Sequence, residues 1–202
     1  MGRLYVLTHP DVVIDPEVPV PLWPLSERGR QRIQGFLNEP WLSDVTAIYC
    51  SSEQKALDTA EIVAQALSLP FEICEQLGEN DRSATGYLPN AEFIEVATWF
   101  FAHPEQSIRG WETALQAQQR FLDAIEYILQ AHTADDTVLV VCHGGVASLY
   151  LAHLQGFATA LHTQQPDTNG GNYFCVDIAT RSLVHAWQSI DRELKSRSFP
   201  LS

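Results

Sequence analysis

Every residue from Val138 to Cys142 is apolar, in the segment DTVLVVCH. A strand with one wet face alternates apolar and polar side chains, so an unbroken run fits a strand covered on both faces. Such strands sit inside parallel sheets, and parallel neighbours need long crossovers, usually helices. The rest of the chain supplies them. RLYVLT (Arg3 to Thr8) and VTAIYC (Val45 to Cys50) read as two more strands, and FEICEQL (Phe71 to Leu77) as a short third strand or extended segment. Helical spacing runs through LSERGRQRIQGFLN, SSEQKALDTAEIVAQALSL, AEFIEVATWFFAHP, GWETALQAQQRFLDAIEYILQAH and GGVASLYLAHLQG. Ser51 or Ser52 is the expected cap of the second of these. NYFCVDIAT and SLVHAWQSI read as a closing pair of strands. The expected fold is α/β: a three-layer α/β/α sandwich on a mainly parallel central sheet, one domain over 1–202, with an inserted loop and helical cap at about 79–111.

Composition narrows the function. The formal net charge is −13. That argues against nucleic acid and anionic lipid as partners, yet a few local cations suffice for a small anionic substrate. The four cysteines, Cys50, Cys74, Cys142 and Cys175, form no CxxC pair and lie in or beside apolar runs. This is the usage of buried free thiols in a reducing compartment, without structural zinc. No secretory leader and no apolar run of membrane-spanning length is apparent. A cytoplasmic location is therefore expected, with no membrane and no metal or other cofactor. Oligomeric state has no signal.

In parallel α/β sheets, ligands bind beyond the carboxyl ends of strands. His9 stands at one such end, in LTHP, and His143 at another, in VVCHGG. If those strands are neighbours, two imidazoles face one crevice. Pro10 and Gly144-Gly145 turn the chain immediately afterwards, and the glycines allow backbone N–H groups to approach an anion. Lys55 falls in the first turn of a helix, where a cation opposes the helix dipole, which favours a functional reason for it.

The order of these segments resembles the histidine phosphatase superfamily, the phosphoglycerate-mutase-like proteins. Thr8-His9-Pro10 stands where the family has Arg-His-Gly. SSEQKALDTAE matches its S-x-x-x-R-A-x-x-T-A helix through Ser51, Lys55-Ala56 and Thr59-Ala60. QLGENDRS offers Leu77 and Glu79 for its Leu-x-Glu step, VVCHGGV its late His-Gly, and Leu25 to Arg32 its Leu-Thr-x-x-Gly stretch. The resemblance implies that His9 forms a phosphohistidine and that His143 donates a hydrogen bond to the phosphoryl group. Glu79 would protonate the leaving alcohol, with Asp81 as second choice. Thr8, Ser51, Lys55, Arg82 and Gly144 would bind substrate. The implied activity is metal-independent hydrolysis of a small-molecule phosphate monoester, with mutase chemistry the lesser expectation.

Two departures matter. Thr8 and Lys55 occupy the places of the family's phosphate-clamping arginines. A guanidinium grips phosphate with a planar fork, lysine with a point charge, and threonine with a hydroxyl. Losing one charged donor costs about 2–4 kcal/mol in comparable sites. Arg82, three residues from Glu79, is the favoured replacement over Arg28, Arg30 and Arg109. The alternative reading is a catalytically weak or inactive relative that binds a phosphorylated ligand or a protein.

Overall fold

A computed structural model describes residues 2–166 and 168–191. Residues 1, 167 and 192–202 of the expected domain lie outside the described residues. The strands are β1 (Arg3–Thr8), β2 (Ala47–Cys50), β3 (Glu72–Ile73), β4 (Thr137–Cys142), β5 (Asn172–Asp177) and β6 (Leu183–Ser189). The helices are α1 (Glu27–Phe36), α2 (Gln54–Leu67), α3 (Asn90–Ala102), α4 (Ala114–Gln130) and α5 (Gly144–Gln155). One sheet holds all six strands, in the order β3-β2-β4-β1-β5-β6. β3, β2, β4 and β1 run parallel, while β5 and β6 close one side antiparallel.

All of β4 is buried. Its alternate residues feed two separate cores, as the period of two requires. Val138, Val140 and Cys142 pack with Phe121 and Ile125 of α4, Val146 and Leu149 of α5, and Phe100 of α3. Leu139 and Val141 pack on the other face with Ile33 and Phe36 of α1 and Ala60 and Val63 of α2. The sheet is therefore the middle of three layers.

Local chemistry sets the helix starts. Ser26 caps α1 by accepting from Gly29 N. Thr113 and Gln116 form a reciprocal capping box at α4, which accounts for its start at Ala114 rather than near Gly110. Gly110 is left-handed (φ 80°) and Trp111 is tucked into the core, so neither continues a helix. The expected serine cap of α2 is corrected: the capping position belongs to Glu53, whose side chain makes no cap bond. Ser51 is committed elsewhere, as shown below. The third strand is also shorter than expected. Only Glu72 and Ile73 pair, both exposed, before a 3-10 turn at Glu75–Leu77.

Two long-range ties hold the loops. Asp81 N donates to Glu112 Oε2 (3.0 Å) and Glu112 N donates to Asp81 O (2.8 Å), so the segment between them is pinched shut at its base. On the opposite side of the sheet, the Arg32 side chain is only 8% exposed and donates to Asp11 (2.6 Å), Asp191 (2.8 Å) and Gly170 O (3.0 Å). Removing one partner of such a group strands buried charge, at about 3–5 kcal/mol. Arg32→Met should lower the unfolding free energy by about that amount, read from urea denaturation at neutral pH.

Candidate active site

The register of β1 against β4 builds the centre. Thr8 lies opposite Cys142, and His9 N donates to Cys142 O (3.1 Å). His9 and His143 therefore leave adjacent strands at the same level, with ring centroids 5.2 Å apart and planes at 65°. Ser51 joins them from β2 through Ser51 N to Val141 O (3.0 Å). The His9 carbonyl accepts from Gly171 N (3.0 Å). Gly170 is required there: its φ is +76°, and a Cβ would lie 2.1 Å from His9 O.

His9 Nδ1 is 2.9 Å from Pro10 O. A carbonyl oxygen only accepts, so Nδ1 carries the hydrogen and Nε2 keeps its lone pair. His143 is fully buried. Its Nε2 meets Ser51 Oγ (2.8 Å) and lies 3.4 Å from Glu53 Oε1. Its Nδ1 is buried without a hydrogen-bond partner among the described residues.

Glu79 reaches the same place from the loop after β3. Its carboxylate accepts from Gly145 N (2.9 Å) and Val146 N (3.0 Å) at the start of α5, and from Asn80 N (3.1 Å). The two glycines make room for side chains. A Cβ on Gly145 would lie 2.5 Å from Glu79 Oε1, and one on Gly144 would lie 2.1 Å from Gln165 Nε2. Arg120 of α4 grips the loop by its carbonyls at Gln76, Gly78 and Glu79. The Asp81 carboxylate instead turns to Ser83 N (2.9 Å), which holds its pKa below the usual value.

His9, Glu79, Arg82, Gly144, Gly145, Ser148 and Gln165 line a cavity of about 290 Å³, opposite an apolar wall of Phe93, Ala97, Phe100 and Trp111. The Arg82 guanidinium lies 4.9 Å from the Phe93 ring centroid and has no carboxylate partner among the described residues. The other candidate arginines are engaged: Arg28 with Asp11, Arg30 with Asp58, Arg109 with Glu92. Lys55, Thr8, Ser51 and His143 do not line the cavity. Lys55 is buried, donating to Val20 O (2.9 Å) and to Glu53 Oε2. Thr8 Oγ1 donates to Gln165 Oε1 (2.9 Å) and accepts from Asn172 N (3.0 Å).

Glu53 is the site residue that the sequence reading passed over. Besides Lys55, its carboxylate accepts from Glu79 N (2.9 Å). Its signal in the sequence is a carboxylate two residues before Lys55. Gln165 carried no signal at all.

Burial lowers the His9 pKa to about 4, aided by Lys55 and Arg82 and opposed by the Pro10 carbonyl and Glu53. Burial also holds His143 well below the ordinary histidine value, against the pull of Glu53. Burial alone would raise Glu53, but His143, Lys55 and the Glu79 N–H outweigh it and hold the carboxyl at about 2.

The geometry fits what the comparisons find. The chain belongs to the histidine phosphatase superfamily, branch 1, whose model matches residues 22–172. That stretch contains Glu79 and His143 and begins after His9. Among solved structures, the Bacillus stearothermophilus protein YhfR is 25% identical, with TM-score 0.75 over 92% of this chain and 95% of that one. A mycobacterial glucosyl-3-phosphoglycerate phosphatase, solved with inorganic phosphate, is 18% identical with TM-score 0.72, covering 92% of this chain and 94% of its own. A putative alpha-ribazole-5'-P phosphatase from Escherichia coli is 21% identical with TM-score 0.71, covering 94% and 98%. The last two likenesses speak to the fold. No curated protein matches this chain in sequence. Among the described residues, no helix is long and apolar enough to cross a membrane, and no group of His, Cys, Asp or Glu is placed to hold a metal ion.

Both imidazoles are neutral in the fold, while unfolded histidine takes a proton below about pH 6.5. The unfolded chain therefore binds more protons as pH falls from about 6.5 toward the folded His9 value of about 4, and stability falls with it. Urea midpoints should drop steadily over that interval. In His143→Gln the slope against pH should be smaller than in the wild type, whatever its absolute stability.

Proposed function

We propose that this protein hydrolyses a phosphate monoester of a small metabolite through a phosphohistidine on His9, without a metal ion. One observation carries the reading. An unprotonated His9 Nε2 and the Glu79 carboxyl line a single cavity, and the buried His143 ring, with one nitrogen unpartnered among the described residues, packs against His9 at 5.2 Å between centroids.

The His9 Nε2 lone pair attacks phosphorus in line, the bond from phosphorus to the ester oxygen breaks, and Glu79 hands a proton to the departing oxygen. His9 then bears the phosphoryl group on Nε2, and its Nδ1–H stays on the Pro10 carbonyl, which steadies the positive ring. In the second half Glu79 takes a proton from water, the water oxygen bonds to phosphorus, and the nitrogen–phosphorus bond breaks. His143 donates to a phosphoryl oxygen, and Arg82, on the cavity wall, supplies a charge with no carboxylate partner among the described residues. Gly144 leaves space at the floor of the cavity. Ser51 orients His143. Thr8 acts through Gln165, and Lys55 acts as a buried charge behind the imidazoles. Mutase chemistry is the lesser reading, because it calls for a dense cationic pocket and Lys55 is turned inward. Three buried free thiols, Cys50, Cys142 and Cys175, suit the cytoplasm.

The second reading, a phosphate-binding relative without turnover, draws on the same inward turn of Lys55. Hydrolysis of a generic aryl phosphate separates the two. Wild-type turnover is expected, with acid-quenched protein carrying label from the ester phosphorus. His9→Ala should abolish both label and turnover. Glu79→Gln should slow turnover by about 10²–10⁴-fold. Phosphate binding without turnover across a broad ester panel would establish the second reading.

A further inference from the structure

The charges around the two imidazoles cancel in pairs. Among the described residues, Glu53 neutralises Lys55, Glu112 neutralises Arg120 (2.9 Å), and the remaining cation there, Arg82, shares the cavity with the Glu79 carboxylate. The imidazoles themselves are neutral. Glu53 is the unusual member. It is a mostly buried carboxylate set between an ammonium and a histidine, where a pocket made for a doubly charged anion would leave both donors free. It is also firmly held: Oε2 takes Lys55, while Oε1 takes the Glu79 N–H and stands 3.4 Å from His143 Nε2. The groups facing it are Lys55 and Ser51 from its own segment, His143 from the end of β4 and the Glu79 main chain, with His9 and Arg120 within electrostatic reach.

We propose that the cavity takes its phosphate ester in the singly ionised form, and that Glu53 sets this preference by cancelling Lys55. The inference rests on the phosphate-ester reading above and adds the ionisation state of the substrate to it. A site without net charge offers no surplus cation to a second negative charge, which would lie near the Glu79 carboxylate on the cavity wall with Glu53 behind the imidazoles. The retained proton has a use. Glu79 accepts N–H groups at both oxygens, a geometry that suits it to take up and relay a proton. The monoanion supplies it: the proton leaves the phosphoryl oxygen for Glu79 and moves on to the ester oxygen as that bond breaks. This leaves a neutral alcohol and a doubly ionised phosphoryl group on a positive His9. The attacking water later returns a proton, through Glu79, to the released phosphate.

A phosphate monoester loses its second proton near pH 6. Above that value, kcat/KM of the wild type for phenyl phosphate should fall about tenfold per pH unit, the slope of a single ionisation. Glu53→Gln keeps the shape of the side chain and frees the Lys55 charge. It should flatten the fall, so that its ratio of kcat/KM between pH 5.5 and pH 8 is at least about tenfold smaller than that of the wild type. Glu53→Ala provides the same comparison if the glutamine variant fails to fold by circular dichroism. Equal wild-type values at pH 5.5 and pH 8, or an unchanged fall in the variants, would overturn the inference and leave the phosphatase reading standing. Calorimetric binding of phenyl phosphate to His9→Ala separates the two ideas when there is no turnover. Tighter binding at pH 5 than at pH 8, with the difference reduced by adding Glu53→Gln, supports the inference. Equal affinity at both values overturns it, and no binding at either overturns both it and the phosphate-ester reading.

Discussion

The hydrogen bond from His9 N to Cys142 O is the last rung of the β1–β4 ladder, and the site depends on it. A parallel register that places Thr8 against Cys142 also places the next residue of each strand side by side. A slip of one residue would turn every side chain of β1 to the other core and carry His9 out of reach. The register is held by burial, because Leu4 and Val6 belong to one core and Leu7 to the other. The two imidazoles are thus placed by the same apolar packing that stabilises the sheet. Gly170 and Gly171 then secure the His9 carbonyl from β5's side.

Around this fixed pair, the polar side chains are turned toward the protein itself. Thr8 spends its hydroxyl on Gln165 and Asn172, and Lys55 spends its charge on Glu53. Both side chains are coupled to their surroundings. A buried ammonium needs a carboxylate or a carbonyl within reach, and Lys55 has both in Glu53 and Val20 O. The result is a site with neutral imidazoles, a carboxylate seated on helix N–H groups, and one guanidinium lying against an aromatic ring.

The sheet, its helices and the family were legible because apolar periodicity and strand-end histidines are local signals. The run from Val138 to Cys142 announces a doubly covered strand, and His143-Gly144-Gly145 announces a strand end opening into a helix. Where the reading fell short, the deciding contact was distant in sequence. Glu53 looked like a helix-start residue, and Ser51 like its cap, until Ser51 met His143, 92 residues away. Gln165 sits in a turn with no pattern, yet it fills the space above Gly144 and takes the Thr8 hydroxyl. Lys55 shows the same limit. Its position in the first helical turn was readable, but the direction of its ammonium depends on a carboxylate and on the Val20 carbonyl.

The pinched base at Asp81 and Glu112 has an evolutionary consequence. The cavity wall from Phe93 to Trp111 hangs between two points already tied together, one on the Glu79 loop and the other beside α4. Closing a flexible loop costs little more as it lengthens, about 0.6 kcal/mol per doubling. Insertions, deletions or wholesale exchange of that stretch can therefore proceed while the imidazoles and Glu79 keep their positions. That cavity wall is free to drift on one part of the molecule while the two imidazoles stay anchored on another.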